Sequence, residues 1–145
     1  MALTDRPAAP LHLWVVGILA LLWNGFGAYD YLMTQTRNAA YMSAFTPQQL
    51  EYFYAFPVWM EAFWAVGVWG ALLGAVLLLI RSRFAVHAFV LALVGLAGSS
   101  VYQFTNPAPE GVLDGTGLIV TIVIWISQIL LALYALFMAR KGVLR

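Results

Sequence analysis

The stretch W-N-G-F-G-A-Y-D-Y-L-M-T-Q-T-R, Trp23 to Arg37, decides how this chain is read. It lies largely within an apolar run that starts at Leu11, and it places an amide, two glycines and a carboxylate where hydrocarbon-compatible residues otherwise prevail. Polar side chains are costly inside a bilayer, so they mark functional positions when they occur there. About 20 residues rising 1.5 Å each cross the roughly 30 Å of hydrocarbon in a membrane. The run over residues 11–33 therefore predicts a first spanning helix. It exceeds the roughly 7–15 residue core of a secretory leader, and it passes through Tyr29, Asp30 and Tyr31 with no small-x-small cleavage site. An uncleaved membrane helix is the expectation.

The rest of the composition points the same way. The chain of 145 residues is 63% hydrophobic, 15% aromatic and only 9% charged, against about 25% charged residues in an average soluble domain. One core in a chain this short cannot hide so much apolar surface, and lipid is the alternative solvent. The net charge of +1 with no basic cluster beyond short flanking groups argues against a nucleic-acid partner. Absence of cysteine removes thiol chemistry and thiolate metal sites, and two histidines, His12 and His87, form no cluster. No cofactor and no metal is expected.

Outward from the first helix, residues 34–46 read as a polar, irregular segment following a polar N-terminal tail and the first span. T-P-Q-Q, Thr46 to Gln49, then meets several helix-start rules at once. Thr46 caps, Pro47 suits the first helical position and Gln49 completes a capping box. The following residues to Phe56 are too few to span and rich in Tyr and Phe, which predicts a short interfacial helix over 47–56. Pro57 ends it and opens a second span, 58–80, with one charge, Glu61, and the glycines Gly67, Gly70 and Gly74. Arg81-Ser82-Arg83 makes a tight turn into a third span, 84–104, with a ridge of Ala88, Ala92, Gly95 and Ser99 and a polar far end at Ser99, Ser100 and Gln103. Small residues at this spacing let helices approach closely, within one chain or across a dimer. A Pro/Gly-rich loop, 105–116, leads to the fourth span, 117–139, uncharged with Gln128 near its middle. The fold class is all-α: a single four-helix integral membrane bundle, residues 1–145, with one short interfacial helix.

Charge sets the expected topology. Arg6, Arg81, Arg83, Arg140, Lys141 and Arg145 share one side, and Arg37 alone lies on the other. The positive-inside rule places both termini in the cytoplasm. Five of the six acids, Asp30, Glu51, Glu61, Glu110 and Asp114, sort to the outer face. Counting along the helices puts Asp30 and Glu61 roughly 28–30 Å above the inner ends of their spans, with Gln103 level with them. Asn24 and Gln128 fall at about 18–20 Å, near the bilayer midplane. The expected site is an outward-facing polar cavity sealed inward by Leu, Val and Ala.

Candidate ligand-binding residues are Asn24, Asp30, Tyr31, Glu61, Gln103 and Gln128. Each has a plainer reading. Asn24 also suits gluing helices together, and Asp30 also suits marking the wet end of its helix. Glu61, flanked by Trp59, Phe63 and Trp64, has a structural alternative as a partner of Arg37 or an acceptor from Tyr31 or Gln103. Trp23 and Trp125 sit nearer mid-depth and suit lining the cavity or packing. His87 suits local hydrogen bonding.

The stretch 23–37, followed by A-Y-M-S-A-F-T-P-Q-Q-L-E-Y-F-Y-A-F-P-V-W over 40–59 and ending in G-V-L-R, resembles a group of small bacterial four-helix membrane proteins often given the automatic label "sugar transporter". The resemblance implies the architecture. It carries over Asn24, Gly27, Asp30, Tyr31, Thr34, Gln35 and Pro57 as family positions, with no roles and no substrate assigned.

Three functional readings follow. In the first, the protein binds or helps to transport a small polar or amphiphilic ligand, as a homo-oligomer or with a partner. In the second it is a non-catalytic accessory subunit of a larger membrane complex. In the third it is a membrane-embedded acid–base enzyme using Asp30 and Glu61. Membrane lipids are partners in all three.

Overall fold

The computed structural model describes residues 7–145; the first six residues of the polar tail, including Asp5 and Arg6, lie outside the described residues. Six helices follow in order: α1 Leu11–Gln35, α2 Ala39–Met42, α3 Pro47–Tyr54, α4 Val58–Leu79, α5 Phe84–Thr105 and α6 Gly115–Arg140. Four of them, α1, α4, α5 and α6, are long and apolar enough to cross a membrane. The protein is an all-helical, multi-pass membrane bundle. The helix between the first two spans is present, with the capping box formed in full: Gln49 N–H donates to Thr46 Oγ1, and Thr46 N–H donates to Gln49 Oε1.

Two boundaries move. The segment read as irregular contains a one-turn helix, α2, because the Asn38 side chain accepts from Tyr41 N–H and caps it. The last helix begins at Gly115, two residues earlier than hydropathy alone indicates, with Asp114 at its N-cap position.

The spanning helices stand in an open ring. Contact is most extensive between α4 and α5, with α1 flanking α4 and α6 flanking α5. The small-residue ridges explain the closest pair. A methyl on Gly95 would lie 2.4 Å from the Gly67 nitrogen and 2.6 Å from the Phe63 carbonyl oxygen, so the two backbones touch there. Gly74 makes room for the Phe89 ring, which a Cβ would meet at 2.7 Å. The ridges of the second and third spans therefore close on each other inside one chain.

At the end carrying the chain termini, α1 aside, the turns lock together. Arg81 and Gly142 terminate α4 and α6 with φ of 59° and 77°. In each case the next residue donates back across the cap, Ser82 N–H to Leu77 O and Val143 N–H to Met138 O, which satisfies the last helical carbonyls. The segment after α6 then returns to the α4–α5 turn: Arg145 N–H donates to Arg81 O at 2.7 Å, and Arg83 N–H donates to Arg145 O at 3.2 Å. The Arg81 guanidinium ties in both flanks, donating from Nη2 to Pro7 O at 2.7 Å and from Nε to Val143 O at 3.1 Å. Val143 and Leu144 fold into a core with Leu13, Leu78, Phe89 and Met138.

The opposite end is aromatic. Tyr52, Phe56 and Met60 are buried together, with Phe53, Trp64 and Tyr102 packed around them. Along the flanks, Leu22, Phe26, Ile119, Leu130 and Phe104 are exposed. Contiguous apolar surface on this scale is foreign to a water-soluble monomer and natural against lipid.

Candidate ligand-binding cavity

Between the four spans, toward the aromatic end, lies a cavity of about 490 Å³, a volume within the roughly 300–1,000 Å³ of typical small-molecule sites. Each element contributes for a local reason. The apolar stripe of α4 and the small residues of α5 (Gly67, Val68, Ala71, Ala92 and Leu96) form the back wall. Phe45, Gln49, Phe53 and Phe56 come over the top from α3 and its flanks, meeting Gly111 and Val112 of the loop before α6. Gln49 fastens this roof. Its Oε1 is committed to the helix cap, and its Nε2 donates to Glu110 O at 3.0 Å.

At the lower end, α1 and α6 supply an amide bridge. Gln128 Nε2 donates to Asn24 Oδ1 at 2.8 Å, and both side chains are buried. Equal depth, read by counting 1.5 Å per residue from the helix ends nearest Pro7 and Arg145, is what lets residues 104 apart meet. The bridge uses one leg of a pair that has two: Asn24 Nδ2 and Gln128 Oε1 are buried with no hydrogen-bond partner. A buried amide atom left unpaired costs roughly 1–3 kcal/mol. Beside them Trp23 Nε1 donates to Ser127 Oγ at 3.2 Å.

Higher on α1, Asp30 lines the cavity and is only partly buried. Its Oδ1 accepts a short hydrogen bond from the Tyr41 hydroxyl, which α2 brings into place. Burial first, and then the Asp30 carboxylate at its hydroxyl, push the Tyr41 phenol well above its ordinary pKa. Thr34, one turn on, turns its hydroxyl back to the Asp30 carbonyl at 2.8 Å.

Of the six candidates, Asn24, Asp30, Gln103 and Gln128 line the cavity, while Tyr31 and Glu61 do not. The Tyr31 ring packs edge-on against Trp64 and Trp69, with centroids 4.8 and 6.2 Å away. Glu61 occupies the first turn of α4, where the positive end of the helix dipole favours a carboxylate. It is not held by Arg37, whose guanidinium lies 4.1 Å over the Tyr54 ring. Asp30 and Glu61 are thus in separate environments, one bonded to Tyr41 in the cavity wall, the other outside it. Trp23 lines the cavity and Trp125 does not; His87 is exposed beside Phe84.

Sequence reasoning did not find Gln49 as a roof fastener, Tyr41 as the partner of Asp30, or Thr121 as a lining residue. Only the capping pattern singled out Gln49, and its second bond spans a loop that no periodicity describes. His12 faces the Tyr134 hydroxyl on α6. Among the described residues no cluster of three or more His, Cys, Asp or Glu is positioned to hold a metal.

The fold and the cavity together define a class, the polytopic four-helix membrane protein with a cavity between its spans. Comparison with family models, curated proteins and solved structures returns no match for this chain.

Proposed function

We propose that this is a bacterial inner-membrane protein, with both termini in the cytoplasm, that binds a small polar or amphiphilic ligand in the central cavity and helps to move it. The observation that carries the reading is the half-used amide bridge. Asn24 and Gln128 line a ligand-sized space, and each keeps one buried amide atom, Nδ2 and Oε1, without a hydrogen-bond partner. A bundle selected only for stability has no reason to hold two such atoms, because apolar residues of similar size would avoid their desolvation. Asp30 and Gln103 extend the polar wall upward, and five of the six basic residues among those described, Arg81, Arg83, Arg140, Lys141 and Arg145, lie toward the other end, which supports the orientation. Since the four helices enclose one chamber with an apolar base, translocation in this reading requires a second copy or a partner subunit.

Gly27 offers the test. It lines the cavity and a Cβ there meets nothing within 4 Å, as is also true of Gly25, which does not line it. Gly27→Phe should fill the chamber and Gly25→Phe should leave it open. Protein extracted into lipid nanodiscs is analysed by native mass spectrometry for co-purifying small molecules. Wild type and Gly25→Phe should retain a species that Gly27→Phe lacks; equal retention in all three refutes the binding role.

A further inference from the structure

We infer that the ligand is an uncharged, single-chain amphiphile with a hydroxyl or amide head, and that it reaches the cavity sideways from the bilayer through the seam between α1 and α6. This rests on the cavity being a binding site.

The route follows from where the walls are closed. The roof is fastened by Gln49 on Glu110 O and packed with aromatic rings, Phe45 on Phe53 and Phe56 on Trp64 and Tyr102. The back wall is the tight α4–α5 contact. The α1–α6 side differs, because these helices meet chiefly through side chains, at His12–Tyr134, Trp23–Ser127 and Asn24–Gln128. All three bridges lie at or below the level of Asn24. Above it, Phe26 on α1 and Val120 on α6 line the cavity while remaining 62% and 44% exposed. A residue that faces the chamber and the outside at once borders an opening, and this one gives onto the flank that faces lipid.

The ligand class follows from charge and from the polar side chains of the lining. Among the described lining residues Asp30 is the only charged side chain, and none is Lys, Arg or His. A phosphate or carboxylate head would enter a low-dielectric chamber with no counter-charge and one like charge, which is strongly disfavoured. A neutral hydroxyl or amide can both donate to and accept from the polar side chains that line the chamber, Asn24, Gln103, Thr121 and Gln128. The mostly apolar walls take the adjoining chain, whose remainder passes out through the seam.

The test uses hexadecan-1-ol bearing a diazirine and an alkyne, in phosphatidylcholine vesicles holding the purified protein, with matched hexadecyl phosphate and water-soluble hexanamide probes. The hexadecanol probe should label peptides around Trp23–Phe26 and Val120–Ile124 saturably. Hexadecyl phosphate should label them at least tenfold more weakly. Labelling should fall at least tenfold in Asn24→Leu/Gln128→Leu, and also in Gly27→Phe, which occupies the chamber and retains both amide residues. Equal labelling by the phosphate overturns the uncharged class. Unsaturable labelling along every outward face overturns a specific site. Hexanamide labelling without hexadecanol labelling overturns the sideways route and leaves the cavity reading standing, whereas no specific labelling by either sinks both.

Discussion

Replacing Asn24 and Gln128 by leucine, singly and together, tests whether the amide bridge exists to hold the bundle or to meet a ligand. Each single change removes one partner of the 2.8 Å bond and leaves the other amide buried without it. Side-chain hydrogen bonds between membrane helices contribute about 0.6 kcal/mol on average and up to about 1.7. Removing one partner so that the other amide is orphaned costs roughly 1–3 kcal/mol in all, so each single variant should lose about 1–3 kcal/mol. The double variant removes all four amide atoms, two of which are already unpartnered, and puts apolar volume in their place. It should match wild type or exceed it by about 1–2 kcal/mol, by the same desolvation argument. Unfolding in mixed micelles with increasing SDS, followed by tryptophan fluorescence, gives the four stabilities of the cycle. Additive losses would refute the reasoning, because they would mean that the two amides do not interact. A double variant as stable as wild type yet empty of ligand would separate the two roles.

Gly95→Ala should destabilise the bundle by about 1–3 kcal/mol, an overpacking cost, because its methyl meets the backbone of Gly67 and Phe63; Gly25→Ala, in open space, should be neutral or gain up to about 1 kcal/mol from helix propensity, and thermal melts of both check the contrast. Arg81 sits at φ 59°, so Arg81→Gly should be more stable than Arg81→Ala by about 1 kcal/mol, both falling below wild type through loss of the bonds to Pro7 and Val143; a reversed order in denaturant melts would count against the cap. The raised pKa of Tyr41 has a definite sign: its neutral form is favoured by folding, so the stability it contributes is intact below the ordinary phenol value, about 10, and is lost as pH rises through the higher folded value. An ultraviolet titration of wild type minus Tyr41→Phe should show a phenol ionising well above 10, and ionisation at the ordinary value would disprove burial beside Asp30.

Much of this architecture is legible in the chain because its signals are local and strong. Four apolar runs and a capping box at Thr46–Gln49 require no knowledge of partners. Depth counting also carried Asn24 and Gln128 to one level, since rise per residue is fixed, although nothing in it fixes which faces meet. The same arithmetic placed Glu61 level with Asp30 and could not see that α4 turns Glu61 away from the chamber. Helical rotation sets that, and with apolar residues on every side of α4 no amphipathic pattern reports it. Asp30's partner was invisible for a related reason: Tyr41 rides on a one-turn helix whose only local sign is Asn38.

The knot of hydrogen bonds that joins Pro7, Arg81 and the last residues has a mechanical consequence. It pins the lower ends of α4, α5 and α6 to one another, while the far end of α6 is attached through α5 and one loop. A helix of 26 residues is a lever of about 39 Å at 1.5 Å per residue. Pivoting by about 5° at that pinned base shifts its far tip by roughly 3 Å over such a length, close to the width of a methylene chain. Spin labels on Leu22 and Leu118, in a chain with no native cysteine to interfere, would register that swing as a spread of distances that narrows when the chamber is filled.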